Sequence, residues 1–135
     1  MQKEISVSTG SKTELVDITE EVSSIVGQSG LEHGICHLFV PHATAGLTIN
    51  ENADPNVKDD ILKMLSEAVP QGRWKHDKVD NNGAAHIKSS IIGPDLTMPV
   101  KDSELVLGTW QNILLCDFDG PRKRRIIITL TGGKE

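Results

Sequence analysis

The chain has 135 residues and a formal net charge of −5, and its aromatic content is two Phe, two Trp and no Tyr. That length fits one domain around one aliphatic core, and the negative charge speaks against a nucleic-acid partner held by phosphate neutralisation. No apolar run approaches the roughly 20 residues needed to span a bilayer. Cys36 and Cys116 both sit in apolar strand-like runs, which favours buried free thiols in a reducing cytoplasm over a disulfide.

Residues 3–9 (KEISVST) alternate apolar and polar, so they predict a half-buried strand with Ile5 and Val7 inward. Gly10-Ser11 marks a turn, and ELVDI is expected to be the hairpin partner. Asp17 or Thr19 then caps a short helix with Ile18, Val22, Ile25 and Val26 on one face, stopped by Gly27 and Gly30. GICHLFV, residues 34–40, suits a central strand ended by Pro41, and TAGLTI begins another. Asp54 at the N-cap and Pro55 at the first helical position open a second helix. Its expected buried stripe is Val57, Ile61, Met64, Leu65 and Ala68, and Pro70 closes it.

Residues 71–83 are polar and without period, a long loop of the kind that carries function. AAHIKSSIIGP reads as a third helix between Asn82 and Gly93-Pro94. LTMPV, ELVLG, TWQNILLCDF and RRIIITL then predict four strands. The order does not alternate strictly between strand and helix. The expected class is therefore α+β: one compact domain with a largely antiparallel sheet or sandwich core and two to three helices.

The segment FVPHATAGLTINENADP brings an imidazole and several side-chain oxygens to the end of an apolar strand. Of five histidines, His37 lies mid-strand and is expected in the core, and His33 in a turn. His42, His76 and His86 fall on three different elements, and taken singly each is accounted for as a structural or solvated imidazole. If the three meet, they leave one tetrahedral position open, as a catalytic zinc site does, and Glu51 could serve as a base toward a metal-bound water. Asn82 at a helix start and Arg122 after FDGPR are the anion-facing candidates, although, taken singly, a plain cap and a solvated hairpin tip account for them better. Gly108-Thr109-Trp110-Gln111 interrupts a β-run and predicts a bulge, which would re-aim side chains beside a site or be a plain sheet irregularity.

PHATAGLTINEN, DNNGAAHIKSSIIGP and LGTWQNILLCDFDGPRKRR together resemble the YjbQ family of small bacterial and archaeal proteins, over residues 3 to 131. The family pattern H-x-T-x-G-L-x-x-N-E falls on His42, Thr44, Gly46, Leu47, Asn50 and Glu51, and its N-x-x-x-H element on Asn82 and His86. The resemblance implies a homotrimer with a divalent metal, zinc, on His42, His76 and His86. It also implies thiamine-phosphate synthase-like activity, a pyrimidine diphosphate joining a thiazole phosphate with loss of pyrophosphate. His42, Glu51 and His86 are then the catalytic candidates, and Asn82, Thr109 and Arg122 the substrate-binding ones. Where the family carries an acid, this chain has Ala84, so that acid's role does not carry over. A metal-dependent hydrolase and a non-catalytic ligand-binding trimer are the competing readings.

Overall fold

The structure is a computed structural model that describes residues 1–133. Its elements run β1 (Gln2–Ser8), β2 (Glu14–Asp17), α1 (Thr19–Gln28), β3 (His33–Phe39), β4 (Ala45–Asn50) and α2 (Pro55–Ala68). They continue with α3 (Asp77–Asp80), α4 (Gly83–Ile92), β5 (Asp95–Lys101), β6 (Glu104–Leu105), β7 (Asn112–Asp117) and β8 (Lys123–Gly133). Every strand pairing is antiparallel, in a five-stranded sheet of order β1-β8-β3-β5-β6 and a three-stranded sheet of order β2-β7-β4. The expected α+β class with an antiparallel core is what forms.

The two sheets face one another across the main core. Cys36, Leu38, Met98, Ile126 and Ile128 come from the larger sheet, Leu47, Ile113 and Leu115 from the smaller, and Ile18, Val22 and Val26 from α1. A second cluster lies behind the small sheet, where Leu114, Cys116 and Phe118 meet Leu65 of α2 and Ala85 of α4. β7 is therefore covered on both faces, which explains the unbroken apolar run ILLC. Each of its fully buried leucines contributes about 1.5–3 kcal/mol of transfer free energy. Burial also pushes the Cys36 thiol up to about 11 and that of Cys116 to about 12, so both are inert buried thiols.

Several expectations are corrected. β1 and β2 do not form a hairpin: β1 pairs with β8 and β2 with β7, so residues 9–13 cross between the sheets. Alternation fixed which face of β1 is buried but could not choose its partner. His37 projects from the outer face of β3, opposite Cys36 and Leu38, and bonds Asp95 Oδ2 at 3.0 Å. In α2, Met64 and Ala68 are exposed, and the helix buries Leu65 beside the partly buried Ile61 and Leu62. Gly27 lies inside α1, and Gly30 (φ 81°) takes the left-handed conformation after it.

The polar loop holds the one-turn helix α3, organised by Asp77. One Asp77 oxygen accepts from the Trp74 N–H and the other from Gly83 N–H, at 3.0 and 2.8 Å. These two backbone bonds hold the Asp77 carboxyl below its usual range. Residues 106–111 form no bulge: β6 stops at Leu105, and a turn closed by Gln111 N–H to Gly108 O at 3.0 Å leads into β7.

Candidate functional site

β8 enters the larger sheet with an unusual inward residue. Arg124 occupies the same face as Ile126 and Ile128 and is 3% exposed, as close to fully buried as its aliphatic neighbours. Its guanidinium bonds both carboxylate oxygens of Asp117, at 3.1 and 2.6 Å, and reaches Thr44 Oγ1 at 2.9 Å. Thr9 Oγ1 donates to Asp117 Oδ2 at 2.6 Å. Burial alone would raise the Asp117 pKa, and the bonds from Arg124, Thr9 and Asp119 N–H outweigh it, leaving the carboxyl below its usual value.

Two residues on, Asp119 gathers a second set of partners from three separate segments. Lys12 Nζ lies 2.5 Å from its Oδ1, while Asn82 Nδ2 and Arg122 Nη2 donate to its Oδ2 at 2.8 and 3.1 Å. Arg122 Nε also bonds the Asp119 carbonyl at 2.7 Å. The intervening Gly120 has no room for a side chain, since a Cβ would stand 2.3 Å from the Ser11 carbonyl and 2.8 Å from Thr9 Oγ1. These backbone approaches explain the glycine in DFDGPR.

Lys12 and Arg122 are half exposed and use only part of their donor sets on Asp119, so the rest face outward. Lys88, on the buried face of α4, adds a third cation. Desolvation is the largest force pulling its pKa down, and the charge of Lys12 adds to it. Asn82 occupies the N-cap position of α4 but makes no side-chain cap bond; its amide nitrogen is spent on Asp119, and among the described residues its buried Oδ1 has no partner. Asp77 takes the cap role instead, so the Gly83 N–H is not free for an anion.

The candidates from sequence divide accordingly. Asn82 and Arg122 do meet, on one oxygen of Asp119. His42 belongs to the same end of the molecule: its Nε2 accepts from the Arg125 N–H at 2.9 Å. Its pKa is lowered, first by desolvation and then by Arg124 and Arg125. His76 and His86 form an edge-on pair with ring centroids 4.6 Å apart, and His76 Nε2 lies 3.5 Å from Asp80 Oδ2.

Glu51 and Thr109 lie elsewhere. Glu51 follows the last residue of β4 and caps the turn into α2, accepting from Asp54 N–H at 3.2 Å. β4 has six residues, so its ends stand about 17 Å apart at roughly 3.3 Å per residue. His42 precedes one end and Glu51 follows the other. Thr109 is exposed in the turn before Asn112, which pairs with Asn50 at the Glu51 end.

The three histidines fit a metal only in part. Among the described residues, no three His, Cys, Asp or Glu side chains are grouped to hold an ion. His76 and His86 could supply two ligands. In neutral His42 the Nε2 lone pair is engaged by Arg125 and the proton sits on Nδ1, so ligation would have to break that bond.

The family described as UPF0047 protein YjbQ-like matches residues 3–133. The chain belongs to that family. A UPF0047 relative from Methanocaldococcus jannaschii is 45% identical, the match covering 95% of this chain and 92% of its own. The UPF0047 protein YugU of Bacillus subtilis is 42% identical over 98% and 100% of the two chains. A solved YbjQ-like protein from Sulfolobus solfataricus superposes with a TM-score of 0.95 at 42% identity, covering 98% of this chain and 96% of that one. Asp117, Asp119, Lys12 and Lys88 were not singled out from sequence, and Arg124 stood out only as part of the basic run 122–125. One local signal was available for Lys88, a lone lysine on the small-residue face of AAHIKSSII, three and four residues after Ala85 and Ala84.

Two surface clefts lie away from this network. One of about 470 Å³ is lined by Ser23, Gly27 and residues 102–105 and 107, the other of about 420 Å³ by Asp17, Thr19, Glu20, Glu21 and Asn112. Neither brings basic groups together. The basic groups gather instead around Asp119.

Proposed function

We propose that the chain is a cytoplasmic enzyme acting on phosphorylated small molecules at the junction of α4, β7 and β8, with thiamine-phosphate synthase-like transfer as its reaction. The observation that carries this reading is the gathering of Lys12, Arg122 and Asn82 on the single carboxylate of Asp119. Cations outnumber carboxylates there in a chain whose net charge is −5, and outward guanidinium and ammonium donors suit phosphate oxygens. Asp119 orients the two exposed cations before a ligand arrives, which lowers the ordering cost of binding. In a transfer that releases pyrophosphate, the same donors stabilise the charge that develops on the leaving group.

A divalent ion, zinc by its affinity for imidazole, would be held by His76 and His86 and would supply Lewis acidity to the leaving oxygen when bound. His86 follows Asn82 by one helical turn, so that pair adjoins the Asp119 assembly. A homotrimer is part of the same proposal. Ile35 and Phe39, 46% and 38% exposed on the outer face of β3, together with the open edges of both sheets, give subunits apolar surface to cover.

Turnover of the two thiamine precursors, followed by pyrophosphate release in wild type and Arg122→Ala, tests the reading. Release by wild type that falls in the variant supports it. A wild type that neither turns over these precursors nor binds pyrophosphate overturns it.

A further inference from the structure

The segment 40–44, which follows β3, is tied down at three points. Val40 N–H donates to the Pro94 carbonyl at 2.9 Å and Phe118 N–H to the Thr44 carbonyl at 3.1 Å. Between them, Arg125 N–H donates to His42 Nε2 at 2.9 Å. That bond has a clear origin. Phe39 opposite Ile127 is the last β3–β8 pair, and continuing the register would set Pro41 opposite Arg125. Because β3 ends first, the His42 ring satisfies the Arg125 N–H that the strand no longer meets. Any acceptor would serve that purpose. An imidazole brings a second nitrogen with it.

A backbone N–H can only donate, so Nε2 must present its lone pair, and the ring is neutral with its proton on Nδ1. Protonating Nε2 would set two donors face to face. A metal on Nδ1 would drive the proton onto Nε2 and break the same bond, and a metal on Nε2 would displace it directly. Neither nitrogen is free to be a ligand or a base. What remains is one N–H donor in a fixed place. Among the described residues Nδ1 has no hydrogen-bond partner, and Asn82 Oδ1 is the one buried side-chain atom left unsatisfied, so Nδ1–H opens to solvent. Arg125 follows Arg122 by three residues, at most about 10 Å at roughly 3.3 Å per residue. The Arg122 side chain and a diphosphate together can span that distance.

We infer that His42 is a fixed-tautomer hydrogen-bond donor at this end of the molecule: its Nδ1–H contacts an oxygen of a diphosphate held by Lys12 and Arg122, and neither ring nitrogen ligates a metal. The inference rests on the phosphate-directed reading above and adds to it the role of His42. A donor already held in place by a backbone bond needs no reordering when the ligand arrives.

Nitrogen–proton correlation NMR of the histidine rings, together with calorimetric pyrophosphate titration of wild type, His42→Gln, His42→Asn and Arg122→Ala, tests the assignment. The ring signal missing from His42→Gln should belong to an Nδ1-protonated imidazole. It should shift when pyrophosphate is added and persist when zinc is added alone. Glutamine can keep the Arg125 bond through its carbonyl oxygen but lacks the donor. His42→Gln should therefore melt near the wild-type temperature and bind pyrophosphate about tenfold more weakly. Asparagine places an amide nitrogen where Nδ1 stood, so His42→Asn should melt lower than His42→Gln yet bind more tightly. A purely structural histidine would give the two variants the same order in both measurements. Should one variant not fold, the other and the spectra give the reading. An Nε2-protonated ring, loss of the Nδ1 proton signal on adding zinc, or wild-type affinity in His42→Gln while Arg122→Ala binds weakly overturns the donor and leaves the phosphate site standing. A wild type that binds no pyrophosphate removes the phosphate site, and the donor role with it.

Discussion

The two ends of β4 carry equally dense polar networks with opposite chemistry. At the Glu51 end, Asn52 Nδ2 bonds Asp17 Oδ2 at 2.9 Å, and Asn52 N–H bonds Asn112 Oδ1 at 3.1 Å. Asp17 Oδ1 accepts from both the N–H and the hydroxyl of Thr19, at 2.9 and 2.5 Å. These groups tie helix starts and strand ends together. At the His42 end, Asp117 and Asp119 organise cations instead; Lys12 and Arg122 are half exposed, and among the described residues Asn82 Oδ1 has no partner. Polar density alone therefore does not mark a site; unspent bonding capacity does.

The comparison breaks most visibly at the buried pair. Arg124→Ala strands Asp117 in a dry setting and should cost about 3–5 kcal/mol, read as a fall in chemical-denaturation midpoint. An Arg124→Met/Asp117→Leu double variant should recover much of that loss, because the desolvation of both charges disappears together. Next in size is Asp119→Ala, which releases Lys12, Arg122 and Asn82. It should cost about 1–3 kcal/mol of stability for the buried groups left unpaired, and it should weaken phosphate binding through lost orientation. The matching change at the other end, Glu51→Ala, removes one exposed cap bond. It should cost about 0.5–1 kcal/mol and leave phosphate affinity unaltered.

The smallest effect is a pH dependence with two components. The folded-state pKa values of Asp17, Asp117 and Asp119 are depressed below 3.8, so the unfolded chain takes up protons first as the solution is acidified. Their stabilisation is present above that value and is lost as pH falls through the folded values. His42 is depressed below 6.5, so it too contributes above its unfolded value and loses that contribution as pH drops below it. Melting temperature should thus decline modestly between pH 7.5 and 5.5, and His42→Gln should flatten that interval without touching the acid limb.

Much of this architecture is legible in the residues because it is local. Asp54-Pro55 opens α2 as expected, with Asp54 accepting from Asn56 N–H at 2.9 Å, and the alternation in β1 turns Ile5 and Val7 inward, partly buried against the core. What could not be read depends on long-range partners. The β1–β8 pairing joins residues near opposite ends of the chain, and the role of Asp119 appears only once residues 12, 82 and 122 are brought together. The Asn50-Glu51-Asn52 run stood out because its oxygens are adjacent in sequence, yet they serve helix and strand ends. DFDGPR reads as a turn, and it is one, whose Asp119 collects Lys12, Asn82 and Arg122.

The central claim is that the Asp119 end of the molecule, not the Glu51 end, binds anions. Pyrophosphate titration by calorimetry on wild type, Arg122→Ala and Glu51→Ala tests it most directly. Arg122→Ala should lose about 1.5–3 kcal/mol of binding free energy, the range for a hydrogen bond to a charged group, while Glu51→Ala binds as wild type does. Unchanged affinity in Arg122→Ala, or a loss confined to Glu51→Ala, would contradict the account.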